Sequence, residues 1–415
     1  MKHANAPRFA VNHMKFDALV LNAPLRQSLV TVRSLGQRGL QVAAAGTHPD
    51  TPALSSRWCR QGFVFPPEDA MGAYLAVLED WLERTGARVL FASNDATIAL
   101  LRLHRARLEP RVRLALADER PLAIAINKER TLAVARRLGL HVPRGVVVRG
   151  VGDVPVALKE IGLPAVLKPC ESWLWDGREG ARLNAQLVAT PAEARHAVET
   201  VTRFGAAALF QELLTGRREA VSFLYADGEM HARFAQWALR TNPPLGGESV
   251  LRQSIAIPPD IGSQAESLVR EINLEGYSEV EYRRDGAGIP YLMEINPRLS
   301  ASVEVAVRAG VDFPYLLYQW ASGGPIEKVD GYRTGVWMRH LGGDIKRLVP
   351  ALGERGRPGG TPPVRTLLDF GLSFLKPMGY DYVDWTDPLP AVRATTGFTR
   401  LAMRRLVSRV TKNLS

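Results

Sequence analysis

Cysteine is nearly absent: the 415-residue chain has two, Cys59 and Cys170. So few thiols exclude a disulfide framework and fit a reducing compartment. No stretch reaches the roughly 18 apolar residues of a membrane span, and Met1 to Lys15 lacks the apolar run of a secretory signal. A Gly-x-Gly-x-x-Gly fingerprint is missing after the first apolar run, which argues against a dinucleotide role there. No Gly-x-Ser-x-Gly elbow suggests hydrolysis. Acidic residues are outnumbered, 42 against 53 Lys and Arg, so the net charge of +11 favours anionic partners. Without an aromatic-interleaved Arg cluster, that excess does not point to specific RNA or DNA binding. The expected location is cytoplasmic, or peripheral to the inner face of a membrane.

What is present is an ordinary globular composition, long enough for two or three domains. Phe16–Leu21 reads as a strand, Leu25–Arg38 as a helix closing at Gly39, and Leu40–Ala45 as a second strand, which is βαβ spacing. With a helix over Met71–Arg84 and a strand over Arg88–Ser93, residues 1–118 suggest a small doubly wound α/β domain. Asn127-Lys128 opens an amphipathic helix through Leu138, and Leu163–Pro169 reads as a strand carrying Lys168. A loop is expected over Cys170–Gly180, with Trp173, Trp175, Gly177 and Gly180; the tryptophans either cover a substrate or staple the loop to the core. A helix over Pro191–Thr202, a strand over Ala207–Glu212 and a hairpin around Asp227-Gly228 follow. Residues 119–322 are therefore expected as a second, α+β domain in two lobes. Residues 323–415 are expected as an extension with a Gly/Pro/Arg-rich linker at Arg355–Pro363 and a basic amphipathic helix over Thr396–Val410.

The most informative segment is Tyr291-Leu-Met-Glu-Ile-Asn-Pro-Arg298. On a strand, side chains two apart share a face, so Glu294 and Asn296 offer oxygens to one hard cation while Arg298 lies next along. Glu281 occupies an earlier strand-like run, Ser278–Tyr282, joined to this one through the turn residues Asp285–Gly288. An isolated Glu-x-Asn would suit a solvated edge strand. An acid on the neighbouring strand and an arginine beside it favour a magnesium-nucleotide site instead.

In this order, Lys128, Lys168, Glu212, Glu219, Glu281, Glu294 and Asn296 resemble the ATP-grasp superfamily over about Asn127 to Gly310, and Phe16–Asp118 is similar to the preceding domain of carbamoyl phosphate synthetase and biotin carboxylase. The resemblance implies that Lys128 and Lys168 bind nucleotide phosphates, that Glu212, Leu213 and Leu214 hold the adenine, and that Glu219 meets the ribose. It implies Glu281, Glu294 and Asn296 as ligands of Mg2+, with Mn2+ a substitute, and Arg298 beside the transferred phosphoryl group. Gly246–Ser249 with Arg252, and Ala309–Tyr315, look like the carboxylate-amine ligase branch, and Arg252 is the candidate for a substrate carboxylate or its acyl phosphate. The implied activity joins a small-molecule carboxylate to an amine with ATP, releasing ADP and phosphate; a homodimer is compatible with this. The competing reading is a nucleotide-binding regulator or scaffold without turnover, held to a membrane surface through its basic tail.

Overall fold

The computed structural model describes residues 15–400 except 68–69, 176–179, 245 and 354–361. Most of the linker and residues 401–410 of the basic tail lie outside the described residues.

Short apolar strands build the middle of the first sheet, where every strand residue is buried. It comprises β1 (Ala18–Val20), β2 (Val42–Gly46), β3 (Gln61–Val64), β4 (Val89–Phe91) and β5 (Arg113–Leu114), all parallel in the order β3-β2-β1-β4-β5. β3 escapes the sequence reading because three of its four residues are exposed and it alternates weakly. The first helix, Arg26–Gln37, ends where Gly39 takes a φ of 82°. The loop after β4 caps the helix Asp95–Leu103 through Asn94, whose side chain accepts the Thr97 N–H. As in other doubly wound sheets, the loops at the carboxyl ends of β1 and β4 face a cleft.

The next sheet contains β6 (Gly145–Val148), β7 (Ala165–Pro169), β10 (Gln186–Val188) and β11 (Ala208–Glu212), antiparallel in the order β10-β7-β11-β6. Between β7 and β10, the expected loop carries a two-stranded hairpin, β8 (Trp173–Trp175) with β9 (Gly180–Arg182). A Cβ at Gly180 would stand 2.3 Å from the Trp173 ring, so only glycine lets the indole lie across the hairpin there.

The third sheet is the floor of the cleft. It runs β16-β15-β12-β13-β14-β17-β18, from β12 (Arg218–Ala226), β13 (Glu229–Asn242), β14 (Glu248–Ile255), β15 (Gly276–Arg284), β16 (Pro290–Asn296), β17 (Trp337–Arg339) and β18 (Gly379–Tyr380). The last two strands come from the segment expected as an extension, which thus contributes to this sheet. Three stretches distant in sequence meet at the buried Asp381. Its carboxylate accepts from Arg252 on β14 and, at 2.5 Å, from Nη1 of Arg26 on the first helix.

Candidate functional site

A cleft of about 300 Å³ lies between the four- and seven-stranded sheets and is lined at one end by the loops after β1 and β4. Period-two alternation selects which side chains enter it. On β15, Glu279 and Glu281 share a face, and the register sets Glu281 opposite Glu294 and Glu279 opposite Asn296 on β16. β12 lies on the other side of β15, where Ala220 faces Glu281. The cleft lining includes Lys128, Lys168, Glu212, Leu213, Leu214, Glu281, Glu294, Asn296 and Arg298 of the expected site residues.

Two acids directly opposite across neighbouring strands repel unless cations lie between or beside them. Here Arg218 Nη2 donates to Glu281 Oε2 at 2.6 Å, and Lys128 Nζ lies 3.2 Å from Glu294 Oε2. Asn296 Nδ2 donates to Glu281 Oε1 at 2.9 Å. Burial alone would raise the Glu294 carboxyl, but Lys128 and Lys168 overcome it and hold the group below its usual value. Two carboxylates and an amide are a hard-oxygen donor set, so the residues present fit Mg2+, with the Arg218 and Lys128 contacts to be shared with the ion.

Lys168 projects from β7 into the cleft, opposite these acids. Burial lowers its ammonium to about 8, with the Glu294 charge opposing that shift. The ammonium therefore neutralises as pH rises through about 8. Affinity for a non-hydrolysable ATP analogue is expected to weaken roughly tenfold from pH 7 to pH 9, read by calorimetry. Lys168→Arg, which stays charged, should flatten that slope; an unchanged slope in the variant removes Lys168 as its source.

Arg298, two residues past β16, reaches Asp95 beside the first sheet, Nε to Oδ1 at 2.7 Å, so this cation and the loop after β4 meet at the cleft. Lys128 Nζ also donates to Ser172 Oγ at 3.3 Å, next to Trp173 in the hairpin strand β8. Trp173 itself lines a smaller cavity of about 50 Å³ beside Lys128 and Asp95. The side chain of Trp175 and residue Gly177 lie outside what is described.

Two expected roles need correction. Arg252 is fully buried and does not line the cleft: Asp381 takes its guanidinium edge and the Ser302 carbonyl its Nε, which leaves no fork for a substrate. Glu219, expected at the ribose, is likewise buried behind the lining, with Arg284 at 2.7 Å and Arg217 at 2.9 Å. Glu212 lines the cleft, yet its carboxylate accepts from the backbone and Nε of Arg144. The sequence reading missed Glu279, Arg218 and Asp95. Glu279-x-Glu281 repeats the same-face alternation seen in Glu294-x-Asn296, which was a usable signal. Burial and the neighbouring Glu281 push the Glu279 carboxyl up to about 7.

Two sheets close here on a cleft lined by lysines, paired carboxylates and an arginine, the arrangement that the resemblance to the ATP-grasp superfamily implies. Residues 209–342 match the family described as ATP-grasp in the biosynthetic pathway with Ter operon. The D-alanine–D-alanine ligase of Xanthomonas axonopodis pv. citri (strain 306) is 26% identical over 217 residues, 48% of this chain and 64% of that protein. Among solved structures, the ADP complex of N5-carboxyaminoimidazole ribonucleotide synthetase superposes with a TM-score of 0.63 at 14% identity, over 87% of this chain and 98% of that one. The biotin carboxylase domain of Hydrogenobacter thermophilus 2-oxoglutarate carboxylase, complexed with MgADP, ADP and bicarbonate, gives a TM-score of 0.61 at 16% identity, over 78% and 74% of the two chains. No helix among the described residues is long and apolar enough to cross a membrane.

Proposed function

We propose that the protein is an ATP- and Mg2+-dependent ligase that activates a carboxylate as its acyl phosphate and joins it to an amine, releasing ADP and phosphate. The observation that carries this reading is the facing pair Glu281 and Glu294, with Asn296, set in one cleft with Lys128, Lys168 and Arg298. Leu213 and Leu214 supply the apolar wall for adenine beyond β11, and Lys168 and Lys128 hold the phosphates. Bound Mg2+, held by Glu281, Glu294 and Asn296, would supply charge neutralisation at the transferring phosphoryl group. Arg298, steered by Asp95, faces the same oxygens and stabilises charge as the substrate carboxylate attacks phosphorus and ADP leaves. The amine then attacks the acyl carbon, expelling phosphate. The loops after β1 and β4 line the far end of the cleft, where a bound substrate would keep water from the acyl phosphate.

Carboxylate oxygen labelled with oxygen-18 is expected to appear in released phosphate, with ADP as the nucleotide product, in mass spectra of reactions with pooled carboxylates and amines. Label in AMP would mean adenylation and overturn the mechanism. Label-free phosphate in a chain that binds the nucleotide would favour the reading without ligation.

A further inference from the structure

Six carboxylates line the cleft: Asp95, Glu212, Glu248, Glu279, Glu281 and Glu294. Five have a cation within 4 Å, namely Arg298, Arg144, Arg26, Arg218 and Lys128 in that order. Glu279 has none among the described residues. It is only 4% exposed, and a carboxylate so enclosed ordinarily requires a partner charge. The same chain does supply one elsewhere, since buried Asp381 takes two arginines.

The groups that hydrogen-bond Glu279 are neutral, the Ser300 hydroxyl and Gln236, and Arg218 acts on it only from beyond 4 Å. Gln236 Nε2 donates to Glu279 Oε2 at 2.7 Å and to Ser302 Oγ at 2.7 Å. Gln236 Oε1 is buried with no donor to accept from among the described residues. The carboxylate therefore has only neutral donors behind it and opens on the cleft with no cation in contact among the described residues. A primary ammonium brings three N–H donors and the missing charge. Glu279 lies two residues from Glu281 on one strand face, or about 7 Å, so a group docked on it sits next to the phosphoryl end of the cleft.

We propose that Glu279, backed by Gln236 and Ser302, is the docking point for a primary ammonium carried by a substrate. The placement beside the reacting carboxylate rests on the ligase reading, whereas the binding test does not. That ammonium belongs either to the amine substrate, which gives up a proton before its nitrogen lone pair attacks the acyl carbon, the protons leaving with the expelled phosphate, or to an amino group on the activated carboxylic acid.

Thermal-shift titrations of the full chain with Mg2+ and a non-hydrolysable ATP analogue distinguish these. The probes are L-amino acids, alkyl amines of matching length and N-acetyl amino acids, and the proteins are wild type, Glu279→Gln and Glu279→Asp. At least one amine-bearing probe should stabilise the wild type while its N-acetyl form does not. Its half-saturating concentration should rise tenfold or more in Glu279→Gln and recover in part in Glu279→Asp. The nucleotide-induced shift should be equal in all three, which also reports that each is folded. Response to alkyl amines assigns the attacking amine; response to amino acids alone assigns the activated acid. No amine response in wild type, equal response in Glu279→Gln, or equal response to N-acetyl forms overturns the site. A Glu279-dependent amine response without ADP release in a parallel ATP assay would keep the site and reject the ligase reading.

Discussion

Replacing Glu294 with alanine is expected to lower the rate of ADP formation by roughly three orders of magnitude, or about 4 kcal/mol of barrier at 1.36 kcal/mol per tenfold. Glu294 is one of two acids set opposite each other on β15 and β16, and its ionised form is held by Lys128 and Lys168. Alanine removes a hard-oxygen ligand and half of the facing pair, so the metal loses its fixed place beside the phosphates. The two lysines remain, and without Glu294 they are freer to attract a polyphosphate. Nucleotide affinity should therefore shift by less than tenfold while turnover collapses. Parallel calorimetry with an ATP analogue and a coupled ADP assay separate the two quantities. Full activity of the variant at ordinary Mg2+ would show that these carboxylates do not position the metal.

That Glu294 lines the cleft as its spacing suggests, while Arg252 and Glu219 lie behind it, has a physical reason. Alternation on a strand fixes which residues share a face, so Glu281, Glu294, Asn296 and Arg298 follow from local spacing alone. Whether a charged side chain on that face meets the cleft or a buried partner depends on segments far away. Arg252 is capped by Asp381, 129 positions later, and Glu219 by Arg284, 65 positions later. Pairing over such distances leaves no periodic trace. The fold divides in the same way. The helix Pro191–Thr202 and the hairpin at Asp227-Gly228 were readable because caps and turns are local. The β8–β9 hairpin, only three residues a side, and the docking of β17 and β18 on the third sheet were not, since tertiary contacts decide them.

The same remote pairing sets the largest stability effect. Asp381 is fully buried, and although burial alone would raise its carboxyl, Arg252 and Arg26 hold it well below the usual carboxylate range. It joins the first helix, β14 and the segment after β18. Asp381→Ala leaves the Arg252 guanidinium buried without a counter-charge and strips one of two partners from Arg26, a loss of roughly 3–5 kcal/mol. Urea unfolding should show it as a lower midpoint. Asp381→Leu combined with Arg252→Met removes the uncompensated charge and leaves Arg26 its Glu248 partner at 2.8 Å, so the double variant should be more stable than Asp381→Ala. Because the folded Asp381 value is depressed, its contribution is complete above the unfolded aspartate value of about 3.9 and declines as pH falls below it. The wild type should therefore lose its stability advantage over Asp381→Ala in that acid range. A difference under about 1 kcal/mol at neutral pH, or one that persists undiminished into acid, would mean that the three segments are held together by apolar packing rather than by this ion cluster.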